Sequence, residues 1–494
     1  MVPRRLPVID SSASAFFRFR EVGERVVVTS LEGEWVVLER DEFAAFTGGS
    51  VEPESSLHAR LTERNLLAAS HDRSRVVDQL QRRKSFLGSG PNLHILVVTL
   101  RCNTTCIYCH ASRAPMSATH TDMSLETAER SVDLALRTTS PSVTLEFQGG
   151  EPLVRFDTMQ RVVEYARERN RDINKQLELT LVTNLSLMDE EKLAWLLENR
   201  VQICTSVDGP RALHDGQRRL PGASAFDRAT HWIGRINDAY AEMGLDEHVY
   251  RVEALPTITR ETLRSPRALI DTYVELGCRA IFLRPVDPFG FAAKTRARVG
   301  YTSPDYLAFY REVVDTLIEL NLGGVDILER YASIFLTKIL RGHDPNYLDI
   351  RDPCGAAIGQ VAYSYDGKLF TCDEGRMLHE DGDDTFLVGD VATSGYREVM
   401  GHPTVRAMAI ASNLDAQPEC DSCAYHPYCG VCPVHSHRTQ GSIFGRMRDS
   451  SWCAVHKGIQ DYLFEKLGEA DPAVLEVFDR WTTSRPRTHF LQPS

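Results

Sequence analysis

Leu93-His-Ile-Leu-Val-Val-Thr-Leu100, followed by Arg101-Cys102-Asn-Thr-Thr-Cys106-Ile-Tyr-Cys109, is the stretch on which the fold turns. The first part is a mostly apolar run of strand length. The second spaces three cysteines as C-x3-C-x2-C, with Tyr108 directly before the last. Three thiolates can hold three irons of a 4Fe–4S cluster and leave the fourth iron without a protein ligand. Electron-transfer clusters take four cysteines as a rule, so an open iron suits a centre where a substrate must bind the metal. A zinc knuckle or three buried free cysteines are the alternatives, but zinc sites more often pair C-x2-C with a distant second pair.

A second strand-like run, Val143-Thr-Leu-Glu-Phe147, leads into Gln148-Gly149-Gly150-Glu151-Pro152. Adjacent glycines allow close approach of a ligand to the backbone, and Glu151 offers an acceptor for an ammonium group. One βα unit after C-x3-C-x2-C, this pattern resembles the radical S-adenosylmethionine (SAM) enzymes. The resemblance implies that the open iron of a cluster on Cys102, Cys106 and Cys109 chelates SAM and that Glu151 binds its amino group. It further implies a cofactor role for Tyr108, Gly149 and Gly150, and reductive cleavage of SAM to a 5′-deoxyadenosyl radical.

The 494 residues allow two or three domains. Lys plus Arg number 56 against 68 Asp plus Glu, a net charge of −12, which argues against a general nucleic-acid binder. No run reaches about 18 apolar residues, so no membrane-spanning helix is expected. Arg4 and Arg5 have no apolar core behind them, so no secretory signal is expected either. Twelve cysteines without such a signal point to metal or redox chemistry in a reducing compartment, the cytoplasm.

Residues 1–85 read as a small α+β unit of the winged-helix, peptide-recognition type, or as a structural extension that only packs on the barrel. Phe16-Phe-Arg-Phe-Arg20, Arg25-Val-Val-Val-Thr29 and Glu34-Trp-Val-Val-Leu38 read as strands. Helices are expected over Asp41–Thr47, capped by Asp41, and over Ser56–Ala69. Gln81-Arg-Arg-Lys84 with Gly88-Ser-Gly-Pro91 reads as a linker. From 92 to 320, strand signals at Leu93–Leu100, Val143–Gln148, Leu177–Asn184, Gln202–Asp208, Arg251–Thr259 and Ala280–Asp287 alternate with amphipathic stretches starting near Ser124, Phe156, Asp189, Ser224 and Pro266. The fold class is therefore α/β, a partial (βα)6 barrel. Ligands in such folds sit at the carboxyl ends of strands. Cys102, Glu151, Asn184 and Asp208 all fall there; Asn184, Ser206 and Asp208 are similar to family positions that contact SAM or substrate, although Asn and Asp-Gly also favour ordinary turns.

Toward the C-terminus, Cys354 and Cys372 read C-x12-G-x4-C through Gly367, and Cys420, Cys423, Cys429 and Cys432 read C-x2-C-x5-C-x2-C, with Cys453 beyond. This resembles the SPASM extension of radical SAM maturases, which carries two auxiliary 4Fe–4S clusters, and sets a SPASM domain at 345–465 with a tail at 466–494. The family's last pair is usually C-x3-C, so Cys429 and Cys432 depart from it. The resemblance assigns Cys420, Cys423, Cys429 and Cys453 to one cluster and Cys354, Cys372 and Cys432 to three irons of the other, with no fourth cysteine in view. A structural zinc on Cys420, Cys423, Cys429 and Cys432 is the alternative, though ribbon pairs usually lie about 15–20 residues apart. Cys204 and Cys278 read as core residues and His110 as incidental. In some relatives an acid at the position of Asp373 takes a proton from the oxidised substrate residue, which makes Asp373 the candidate catalytic base.

As a whole the chain resembles the radical SAM maturases of His-Xaa-Ser peptide systems, through Phe16–Arg20, Thr99-Leu-Arg-Cys-Asn103, Glu146–Glu151, Tyr365-Asp-Gly367, Asp373-Glu-Gly-Arg-Met377 and Tyr428-Cys-Gly-Val-Cys-Pro433. That implies a His- and Ser-containing precursor peptide as substrate, a reducing partner such as flavodoxin or ferredoxin, and a paired second maturase. Sulfatase maturation, cyclophane or thioether formation, and a non-catalytic iron–sulfur electron carrier are the other readings.

Overall fold

The computed structural model describes residues 9–492, so Arg4 and Arg5 lie outside the described residues. Strands Phe17–Val22, Arg25–Ser30 and Trp35–Leu38 form an antiparallel sheet. One face buries Val26, Val28, Val36 and Leu38 against Phe43, Phe46 and Leu61 of the following helices and Leu66 just beyond them. The first helix, Arg40–Thr47, starts one residue before Asp41; its cap is Glu39, in a reciprocal box with Glu42. The second, Ser56–Glu63, ends well short of Ala69. Asn65 takes the left-handed conformation that stops it, and its amide is engaged by Glu32 and the Asp72 carbonyl.

The basic stretch 81–84 is not a linker. It belongs largely to the helix Arg73–Arg83, capped by Asp72. Arg83 is buried and donates to the carbonyls of Pro427 (2.7 Å), Lys338 (3.1 Å) and Gly33 (3.3 Å). A guanidinium can satisfy several carbonyls at once, which turns an apparently solvated charge run into the joint between the N-terminal unit and the rest.

The central sheet runs Glu253–Ala254, Val201–Thr205, Gln176–Val182, Ser142–Gly149 and Leu93–Thr99, all parallel. Ser124, Asp189 and Ser224 cap the helices Leu125–Ala135, Glu190–Glu198 and Ala225–Glu242 through side-chain hydrogen bonds. The last two expected strands are broken. Arg251–Thr259 contains only Glu253–Ala254 and Thr257–Ile258, and Ala280–Asp287 only Ala280–Ile281 and Arg284–Pro285. Pro256, between the first two fragments, lacks the N–H a continuous ladder needs; Glu253–Ala254 stays in the central sheet, and the other fragments pair off in separate two-stranded sheets. The barrel is thus partial.

At the other edge the sheet does not end at Leu93–Thr99. Gln360–Tyr363 adds in parallel to that strand, and Lys368–Phe370 and Leu387–Asp390 continue antiparallel. The C-terminal region therefore shares one sheet with the barrel, and an edge that would otherwise expose unpaired backbone is covered. The segment after 465, read as a tail, is packed as well. Helix Pro472–Trp481 buries Val477, Phe478 and Trp481, and the Gln492 N–H donates to Leu177 O at 2.8 Å. No helix among the described residues is long and apolar enough to cross a membrane.

The two glycines of Gln148-Gly149-Gly150-Glu151 meet backbone. A Cβ on Gly149 would overlap Thr99 O, and one on Gly150 would overlap Leu100 O and Arg101 O. In their place stand two hydrogen bonds, Gly150 N–H to Thr99 O and Glu151 N–H to Arg101 O, both 2.8 Å. Gly149 also has φ +153°. The space anticipated for a ligand is filled by the start of the cysteine loop.

Gly150→Ala is expected to cost about 3 kcal/mol or more, because the methyl meets backbone that cannot yield; thermal unfolding measures it, with Gly88→Ala as a control whose Cβ meets nothing within 4 Å. Arg83→Ala is expected to cost about 2–4 kcal/mol by leaving buried carbonyls unpaired and to expose the N-terminal unit to limited proteolysis; an unchanged digestion pattern would count against the joint.

Candidate active site

The cysteine loop is stapled at both ends. Ala114 N–H donates to Leu100 O (2.6 Å), Cys102 N–H to Ala114 O (3.1 Å) and Met123 N–H to Val98 O (2.9 Å). Arg101 grips Asp122 with Nε and Nη2 at 2.8 and 2.5 Å, a two-point contact that fixes direction as well as distance. Inside the loop, the short strand Thr105–Cys106 pairs antiparallel with Arg218–Arg219. Backbone amides face the sulfurs, as where Thr104 N–H points at Cys102 Sγ at 3.4 Å.

Burial pushes the thiols of Cys102 and Cys106 up, Cys106 to about 12, and the Glu151 carboxylate adds to the effect on Cys102. Buried thiols at such values stay protonated until a metal displaces the proton. No three cysteine sulfurs among the described residues lie within 4.8 Å of one another; the one convergent group is Asp352, Asp415 and His426. A single zinc with Zn–S bonds of about 2.3 Å does not fit that spacing.

Glu151 is fully buried and already takes three donors: Thr183 Oγ1 (2.6 Å), Asn184 N–H (2.8 Å) and Leu153 N–H (3.1 Å). About one of a carboxylate's four acceptor sites stays free. Asn184 bridges the third strand to the cysteine loop, with its amide 3.1 Å from Thr104 Oγ1 and 3.8 Å from Cys102 Sγ. Asp208 is also fully buried and wholly engaged, by the Tyr108 hydroxyl, by Arg218 Nε and Nη2 at 3.0 and 3.2 Å, and by Thr257 N–H at 3.1 Å. It holds Arg218, whose guanidinium lies over the Tyr108 ring at 5.3 Å. Nothing in the local sequence separates Arg218 from its neighbour Arg219; pairing with Cys106 selects it.

Ser206 and Arg218 line a cavity of about 670 Å³ that continues through the barrel to Asp373 and Glu374. His110 lines it too, with Nε2 accepting from Asp287 N–H at 3.2 Å. Cys204 faces the same space, whereas Cys278 is buried in the core. Tyr108, Gly149, Gly150, Glu151, Asn184 and Asp208 are not among the cavity's lining residues. On the far wall, Arg376 Nε donates to Asp373 at 2.6 Å. Burial, with the neighbouring Asp349 and Asp373, lifts Glu374 to about 8.

The C-terminal cysteines separate into two sets. Cys354, Cys372 and Cys432 share an apolar cluster with Phe289, Leu378, Phe386 and Met408. Cys420, Cys429 and Cys453 share another with Leu414, Val431 and Met447, and Cys423 joins them around a small closed void. Cys432 thus leaves its neighbours in the chain, so a zinc on Cys420, Cys423, Cys429 and Cys432 does not fit. Cys372 and Cys432 each cap a helix, accepting from Gly375 and His435 N–H at 3.4 Å.

The radical SAM superfamily model matches residues 96–250, which contain the cysteine loop, Glu151, Asn184, Ser206, Asp208 and Arg218. The cysteine-type anaerobic sulfatase-maturating enzyme of Clostridium perfringens strain 13 is 24% identical over 391 residues, covering 76% of this chain and 98% of its own length. The structure of native anSMEcpe with bound AdoMet superposes with a TM-score of 0.63 at 21% identity, over 76% of this chain and 98% of that one. SuiB of Streptococcus suis, bound to the precursor peptide SuiA, superposes with a TM-score of 0.52 at 12% identity, over 89% of this chain and 99% of that one. Over residues 96–250 the chain is thus similar to the radical SAM superfamily.

Proposed function

We propose that this enzyme modifies a ribosomally made peptide, that Cys102, Cys106 and Cys109 hold its SAM-binding cluster, and that the two C-terminal cysteine sets hold auxiliary clusters. When bound, the first cluster supplies the electron that splits SAM into methionine and a 5′-deoxyadenosyl radical, the hydrogen-abstracting species. The observation that carries the reading is the cavity. Its volume of about 670 Å³ joins the cysteine-loop side, at Ser206 and Arg218, to the Cys372 side, at Asp373 and Glu374, room for a side chain with its flanking backbone.

The chain's own residues then position and shield. Arg218, locked by Asp208, offers a fixed cation to a carboxylate bound in the cavity. Asn184 and Glu151 hold the cysteine loop against the strand ends, and the free acceptor site of Glu151 suits an ammonium. Asp373 presents a carboxylate held by Arg376, placed to accept a proton from a substrate group. The strand Phe17–Val22 pairs on one side only among the described residues, beside a shallow groove lined by Phe19, Arg20, Cys423 and Lys457. A precursor peptide would add there as a further strand. The motifs shared with maturases of His-Xaa-Ser systems support a repeat peptide of that kind as substrate, with a flavodoxin or ferredoxin as reductant and a second maturase as partner, in a reducing compartment such as the cytoplasm.

A second reading, sulfatase maturation, is favoured by Asp373 facing the cavity and by sulfatase-maturating relatives aligned over nearly their whole length. It expects a folded or leaderless partner.

Anaerobically reconstituted, reduced protein is expected to release 5′-deoxyadenosine from SAM. Cys106→Ala should abolish the release, while Cys423→Ala should keep it and lose the peptide product, both read by chromatography and mass spectrometry; equal cleavage by both variants and wild type would overturn the assignment. Co-expression with a peptide of His-Xaa-Ser repeats should change that peptide's mass, and modification only of a sulfatase Cys or Ser, abolished by Asp373→Asn, would favour the second reading.

A further inference from the structure

We propose that the Glu374 carboxylate is the fourth protein ligand of the cluster held by Cys354, Cys372 and Cys432. This rests on the reading that those three cysteines bind an iron–sulfur cluster. No other cysteine joins that apolar cluster: Cys420, Cys423, Cys429 and Cys453 surround their own void, Cys102, Cys106 and Cys109 lie in the barrel loop, Cys278 is core, and Cys204 faces the cavity from a barrel strand. Three thiolates leave one corner without a cysteine.

Glu374 stands two residues after Cys372, in the first turn of the helix Asp373–His379 that Cys372 caps, and it lines the cavity. Its carboxylate acts on all three thiols. On Cys372 it is the largest of the neighbouring charges, whereas Asp349 acts on Cys354 and Cys432. The adjacent Asp373 has its counter-ion in Arg376 at 2.6 Å. Glu374 has no ion-pair partner: among the described residues its one hydrogen-bond donor is its own backbone N–H, and Arg284, which also acts on it across the cavity, lies beyond ion-pair distance. A carboxylate partly desolvated without a paired cation is expensive to hold, and a ferric or ferrous corner supplies that charge. Carboxylate oxygen is a ligand iron accepts.

The competing donor is His435, whose Nδ1 is buried without a partner. Its ring packs on Trp452, at 5.7 Å, and Trp452 lines the void of the other cysteine set. Glu374 instead faces the substrate cavity, so a hard, exchangeable oxygen ligand would lie where a bound peptide atom could replace it.

The test is ⁵⁷Fe Mössbauer and EPR spectroscopy of the anaerobically reconstituted full chain, with iron and sulfide counted. Wild type should hold about twelve irons, and roughly one in twelve should carry an oxygen-ligated signature besides the SAM-binding site. Glu374→Gln should erase that signature, while Glu374→Cys should convert it to an all-thiolate spectrum with a shifted midpoint potential. Asp349→Asn and His435→Ala should leave it unchanged. An unaltered spectrum in Glu374→Gln, loss of the cluster from both Glu374 variants, or loss of the signature from His435→Ala overturns the inference. A wild-type chain with only about eight irons instead defeats the underlying cluster reading, and the two failures are told apart by the count.

Discussion

Two stretches of backbone cross where side chains would not fit, and the site is built on that crossing. Thr99–Arg101 opens the cysteine loop, Gly149–Gly150 ends the neighbouring strand, and their carbonyls and amides bond directly. Because backbone cannot swing aside as a side chain can, the crossing sets the height of the loop above the sheet. Glu151 extends the constraint sideways: its buried carboxylate ties the next strand's Thr183 and Asn184 to the same point. The amide of Asn184 then reaches back to Cys102 and Thr104. The loop that carries three cysteines is thereby held from below and from one side without any metal.

Charge is handled by the same economy of partners. Asp208 and Asp373 each have an arginine, Arg218 and Arg376, and Glu253 has two, Arg330 and Arg487. Buried charges so paired lose less on desolvation than isolated ones. Against that background Glu374 stands out: it has no ion-pair partner among the described residues, while Asp349 and Asp373 act on it with like charge. The cavity is thus asymmetric, with a fixed cation toward the cysteine loop and uncompensated carboxylate toward the C-terminal cysteines.

The joining of the two halves also has a structural basis. Gln360–Tyr363 completes the sheet beside Leu93–Thr99, the strand that leads into the cysteine loop, and two strands further along Phe370 is followed by Cys372. One sheet therefore carries both the strand that leads into the cysteine loop and the strand that leads to Cys372. Arg83 performs a comparable task for the N-terminal unit, tying it to Lys338 and Pro427 through main-chain carbonyls.

Much of this was legible in the residues because it is local. Strand runs, helix starts at Ser124, Asp189 and Ser224, and the spacing of Cys102, Cys106 and Cys109 depend on neighbours within a turn or two, and chain order carries that information. The misreadings share a cause. Pro256 broke a ladder whose apolar pattern looked continuous, Asn65 ended a helix its leucines would have prolonged, and the basic run at Arg83 met distant carbonyls instead of water. By itself the sequence determined the parallel αβ alternation and a three-cysteine loop at a strand end. Only the tertiary structure decided that Arg218 rather than Arg219 meets Cys106, that Arg83 meets carbonyls of three distant segments, and that Glu374 is left without an ion-pair partner. Each of those outcomes depends on segments far apart in the chain brought together by shared packing, which no local period records.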